Sequence, residues 1–165
     1  MTRLSPFLPR HWILTWFGAG LVPKAPGTAG TLATMPLVWI LCAETSVIFR
    51  CGVAVGLTIL ACWLATREVA ATGRKDPQYI VVDESVGILW STAWLTGVQW
   101  QWLLAAFVLF RLFDTLKPFP VNLLDQASKR AASNAARGAF VILDDVGAGF
   151  LTAAALEAAR YWLTS

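Results

Sequence analysis

Residues 47–66 form an apolar run whose one charge, Arg50, stands close to its start. That length matches the hydrocarbon thickness of a bilayer, where every backbone N–H and C=O must find its partner inside the segment. An α-helix meets that requirement, with Arg50 expected to snorkel outward to the interface. Three further stretches share this character. Residues 29–43 and 146–163 each read as one helix, whereas 86–113 is too long for one and is interrupted at 97–101. It reads as a hairpin with arms 86–97 and 101–113, each short for a full crossing.

The expectation is an all-α, polytopic membrane helical bundle of about four to five embedded helices, some with short or partial spans, in one domain over residues 1–165. Composition agrees: 57% of residues are hydrophobic and 14% charged, where soluble domains run to about a quarter charged. Nine tryptophans point to membrane interfaces. A net charge of +3 gives no reason to expect nucleic acid as a partner, and membrane lipid is the natural one. Cys42, Cys51 and Cys62 lie in apolar runs without a C-x-x-C pair, so neither a disulfide nor a zinc framework is implied. His11, the single histidine, reads as an interfacial side chain. Arg3 and Arg10 precede a short apolar stretch, but no small-x-small site follows, and cleavage as a signal peptide is not expected.

Topology decides which charges meet. Threading the five segments leaves only Arg50 and Arg160, of 13 basic residues, on one side. The richer side belongs in the cytoplasm. On that side lie a glycine- and proline-rich stretch at 18–31, Asp83 with Glu84, the trio Arg111, Asp114 and Lys117, and Asp144 with Asp145. The stretch at 18–31 reads as a loop in which glycine backbone, Lys24, Thr28 and Thr31 could face an anion, although it lacks the order of a Walker loop. Arg111, Asp114 and Lys117 stand three apart before Pro118, which places them at a helix end. Residues 125–137, alanine-rich and basic, read as a helix lying on the surface or as a solvated linker.

Five acids gathered at membrane boundaries would repel one another unless a cation joined them. Oxygen ligands without clustered histidine or cysteine favour magnesium, and Lys24, Arg111 and Lys117 suit a phosphate beside it. Structural ion pairs within the trio are the plainer reading. A transporter lining an ion path is a third, although the acids cluster at one interface.

The blocks FGAGLVPKAPGTAGTLATMP, IVVDESVG, FRLFDTLKPFP and LDDVGAG, in this order, resemble the phosphatidylglycerophosphatase A family over about residues 17–150. The resemblance implies a Mg²⁺-dependent bacterial phosphatase of the cytoplasmic (inner) membrane, with its active site on the cytoplasmic face. It would remove the terminal phosphate of phosphatidylglycerophosphate to give phosphatidylglycerol. It also implies an acidic metal site at Asp83, Glu84, Asp114, Asp144 and Asp145, and phosphate contacts at Lys24, Thr28, Arg111 and Lys117. Asp114, Asp145 and Lys117 are the expected catalytic residues; attack could come from metal-activated water or from a carboxylate that forms an acyl phosphate, and the reading adopted is water, with Asp114 or Asp145 as ligand or base. The glycine-rich turn usual before the paired aspartates is reduced here to Gly138. A CDP-alcohol phosphotransferase would also use magnesium and aspartates in a membrane, but its D-G-x-x-D-G spacing is absent.

Overall fold

The computed structural model describes residues 9–74, 77–96, 99–131 and 133–164, without the side chains of residues 134, 135 and 164. The described residues are helical, with no strand among them: α1 (Pro9–Leu14), a 3₁₀ turn (Ala19–Leu21), α2 (Pro26–Glu44), α3 (Val47–Thr72), α4 (Val82–Thr92), α5 (Trp100–Leu116), α6 (Val121–Arg130) and α7 (Asn134–Thr164). Among the described residues three helices are long and apolar enough to cross a membrane: α2, α3 and residues 136–163 of α7. The all-α membrane bundle expected from the sequence is the fold observed. Its outer surface is hydrocarbon, with Ile48 85% and Ile59 65% exposed on α3. Water would disfavour such a surface and lipid would not.

Local chemistry sets the helix ends. Pro26 opens α2 at its first turn, where a missing N–H costs nothing. The stretch read as a loop to residue 31 is therefore helical from Pro26 onward, and the Thr31 hydroxyl donates to the Gly27 carbonyl at 2.9 Å. Ser46 caps α3 by accepting from the Phe49 N–H at 3.3 Å. The polar segment after residue 66 continues α3 to Thr72, until Gly73 ends it at φ 67 in the left-handed region.

Arg50 does not snorkel. It is buried on the same α3 stripe as Ala54, Ala61 and Ala65, which faces the bundle. His11 is likewise buried rather than interfacial, because α1 packs on α3 and sets its Nε2 3.4 Å from the Glu68 carboxylate. The expected hairpin is α4 and α5, and its turn at residues 97–98 lies outside the described residues, as do Arg3 and Lys75. Residues 125–137 are not one element: α6 ends at Arg130 and α7 begins at Asn134.

Short α4 occupies the centre, against α2, α3, α5 and α7. All its residues except Asp83 and Glu84 are buried. A close crossing with α7 holds it there. A side chain at Gly149 would run into the Gly87 carbonyl, and one at Gly87 would meet the Phe110 ring and the Asp145 backbone. On the opposite flank Thr34 of α2 donates to the Ser85 hydroxyl at 2.9 Å, both buried.

Candidate active site

At one end of the bundle a cavity of about 420 Å³ opens among α4, α5, α6 and α7. Its walls carry Asp83, Glu84, Asp114, Lys117, Asp144 and Asp145. Asp83 and Glu84 form the first turn of α4, where the positive end of the helix dipole favours carboxylates. Asp114 and Lys117 come from the end of α5. Asp144 and Asp145 were expected near the start of their helix but lie well inside it, about 15 Å along its axis from Asn134. Helix α7 runs unbroken through the region where the family pattern places a glycine-rich turn, and Gly138 packs against the α3 backbone at Thr66.

The acids divide by partner. Asp83, Glu84 and Asp145 each present a carboxylate oxygen within 4.8 Å of the other two. Glu84 Oε2 is buried without a hydrogen-bond partner. Such an atom is costly unless a donor, a proton or a cation meets it. Asp114 accepts from Arg111 Nη1 at 2.7 Å, and the same nitrogen lies 3.9 Å from Glu84 Oε1. Asp144 instead accepts from Lys117 Nζ at 2.6 Å, and that ammonium also donates to Asp125 at 2.7 Å. Lys117 stands in the left-handed region at φ 45, a conformation glycine would adopt more readily, so its two carboxylate partners anchor a residue the backbone disfavours.

Burial raises the Asp83 carboxyl well above its ordinary range, and the Glu84 charge adds to the effect. Burial alone would lower Lys117, but hydrogen bonds to Asp125 and Asp144 overcome it and hold the ammonium above its ordinary value. Asp125 shows the converse: burial opposes its ionisation, while Lys117 and Lys129 hold it below the usual carboxylate range.

Lys24 is exposed just ahead of α2, and Thr28 is half-buried in its first turn. Neither lines the cavity. Gly27 between them does reach the site, since a side chain there would strike Glu84 and crowd Arg111. The first turn of α2 therefore seals the Glu84–Arg111 edge through its lack of a side chain. Sequence reasoning missed Asp125, Ser128, Lys129 and Arg137, which line the cavity from α6 and α7. One signal was available: Asp125 and Lys129 stand four apart and pair at 2.5 Å, marking a helix face.

A sequence profile of the phosphatidylglycerophosphatase A family matches residues 12–160. The chain belongs to that family. A phosphatidylglycerophosphatase A from Haemophilus influenzae is 37% identical over 164 residues, covering 99% of this chain and 96% of its own. The Escherichia coli protein of that name is 32% identical over 155 residues, 94% of this chain and 86% of its own. A Bacteroides thetaiotaomicron protein, provisionally named a phosphatidylinositol-3-phosphatase, is 36% identical over 167 aligned positions, covering 94% and 95% of the two chains. No solved structure matches the chain. Membership in the phosphatidylglycerophosphatase A family makes it a phosphatase and sets aside the CDP-alcohol phosphotransferase reading.

Proposed function

We propose that this enzyme hydrolyses the terminal phosphomonoester of phosphatidylglycerophosphate with Mg²⁺ held by Asp83, Glu84 and Asp145, at the cytoplasmic face of a bacterial inner membrane. The observation that carries the reading is the carboxylate trio with its orphaned Glu84 oxygen, set beside Lys117 in a cavity at one end of apolar helices. The donor set is all oxygen, as a hard cation requires. Bound there, magnesium would neutralise phosphoryl charge and make water a better nucleophile. The curated relatives that carry the family's name support the lipid substrate. Its cytoplasmic placement is supported by the basic residues at the cavity, Lys117, Lys129 and Arg137.

The residues take distinct roles in this reading. Asp114, whose Oδ2 accepts from Arg111, stands beside Asp145 and would accept a proton from the attacking water. As the water oxygen bonds to phosphorus, the bond from phosphorus to the glycerol oxygen breaks, and the departing oxygen takes up a proton from solvent in the open cavity, so that an alcohol leaves. Lys117, kept protonated by its two carboxylates, places positive charge near the phosphoryl oxygens as that charge develops. Asp144 and Asp125 orient Lys117 and keep it charged. Phosphate release should be measured from phosphatidylglycerophosphate, and from phosphatidylinositol 3-phosphate as the competing lipid, with Mg²⁺ and with EDTA. The expected result is Mg²⁺-dependent release from the first lipid, abolished in Asp114→Asn and Asp145→Asn. Release that survives EDTA would remove the metal from the proposal, and a preference for the inositol lipid would replace the substrate.

A further inference from the structure

A second hollow, about 660 Å³, lies between α2 and α5 on the outer flank of the bundle. Leu32, Met35 and Trp39 line it from α2, and Trp100, Leu104 and Phe107 from α5. Among the described residues no charged one lines it. It is open to the surroundings, with Leu32 62% and Trp100 61% exposed.

Helix register ties this groove to the acidic cavity. Trp100, Leu104, Phe107, Arg111 and Asp114 follow one another at three or four residues, so they share a face of α5. The apolar part of that face, from Trp100 to Phe107, is about 10 Å long, and Arg111 follows about 6 Å further on. Across from it, α2 runs from Trp39 back to Gly27, which lies against Arg111 and Glu84. The groove is therefore hydrocarbon along its length, and its two walls lead on to Gly27, Arg111 and Glu84, at the edge of the acidic cavity that Glu84 and Asp114 line. That sequence of polarities is the order met along a phospholipid with an extra phosphate: tail, phosphodiester, phosphomonoester.

We propose that the groove between α2 and α5 seats an acyl chain of the substrate, making the enzyme selective for a lipid over the same head group in water. The inference rests on the lipid phosphatase reading and adds a feature of the substrate to it. The tail lies along Leu104 and Met35, the diester passes Arg111, and the phosphomonoester reaches the cavity beside Lys117. Lateral entry between two helices also removes any need to lift the tail out of the bilayer.

Two measurements decide it. In detergent micelles, phosphate release from dioleoyl phosphatidylglycerophosphate and from its deacylated, water-soluble head group would be compared for wild type, Leu104→Trp and Met35→Trp, which fill the groove. Expected is a fall in kcat/KM of about tenfold or more on the lipid, the scale on which apolar pockets discriminate, with the head-group rate unchanged. An equal fall on both substrates, or none, overturns the proposal. Because a filled groove can disturb folding, wild-type enzyme would also be irradiated with phosphatidylglycerophosphate bearing a diazirine in mid-chain. Adducts confined to residues 32–39 and 100–107 support the groove. Adducts spread evenly over the lipid-facing side of α3, or none because a second copy covers the face, overturn it. Wild type that hydrolyses neither substrate would overturn the phosphatase reading itself, an outcome distinct from a failed groove.

Discussion

Asparagine in place of Asp145 keeps the shape of the side chain and removes the charge that a cation would meet. Loss of partners one shell further out costs metal sites about 10–100-fold in affinity or activity, so losing a ligand of the trio should cost at least about 100-fold. Asp145→Asn and Asp83→Asn should both show this in phosphate release, and where Mg²⁺ should raise the thermal unfolding temperature of the wild type, both variants should lack that rise. Asp125→Asn should be milder, because Lys117 keeps Asp144 as its partner. The pH response follows from Asp83, whose carboxyl burial and the Glu84 charge raise. A group with a raised folded pKa stabilises the fold at low pH and loses that contribution as pH climbs through the folded value. Chelated enzyme should therefore lose thermal stability as pH rises above the ordinary carboxylate range. Added Mg²⁺, competing with the proton, should stabilise more at high pH than at low. A flat profile in EDTA would contradict this account of Asp83. The paired acids and the α5 trio were legible in the chain, since charges at the edges of apolar segments are rare and need partners. Their separation into a trio and two cation holders was not, because it depends on side-chain directions across three helices.

Among the elements, α4 bears the site and its neighbours set its position. The Gly87–Gly149 contact leaves no room for a side chain, so Gly149→Leu should destabilise the bundle by about 1–3 kcal/mol or more, as overpacking does. Thermal unfolding in detergent would measure this, and Gly149→Ala should fall between the two. A second link enters from α3. Buried Glu68 accepts from the Tyr79 hydroxyl at 2.7 Å and lies 3.2 Å from Arg10 Nε, tying α1 and the segment before α4 to one carboxylate. Removing Glu68 leaves the Tyr79 hydroxyl and the Arg10 Nε without this partner, at about 1–3 kcal/mol, so Glu68→Ala should unfold at a lower temperature than wild type. Tyr79→Phe, which removes only one donor, should cost less. Neither effect was readable beforehand: Glu68 lies past the apolar run at 47–66, and only continuation of α3 to Thr72 turns it inward.

For the whole molecule, orientation in the membrane is the open physical quantity. Basic residues crowd the cavity end, and Arg160 near the far end donates to Thr96 at 2.7 Å. With the cytoplasm at the cavity end, a cysteine at Lys24 should react in whole cells only with a membrane-permeant thiol reagent. One at Tyr161 should react with an impermeant reagent once the outer membrane is opened, and the reverse pattern would invert the topology. Hydrophobic run length and the placement of charge at run ends were enough, by themselves, to determine an all-helical membrane bundle with its acids on one side. Lipid forbids unpaired backbone and penalises charge, and both constraints are written residue by residue along the chain. Tertiary structure alone decided that α7 passes unbroken through Asp144 and Asp145, that α6 brings Asp125 to Lys117, and that Gly27 rather than Lys24 meets the site. Those outcomes depend on the depth and rotation at which separate helices pack, and no local stretch of sequence specifies either.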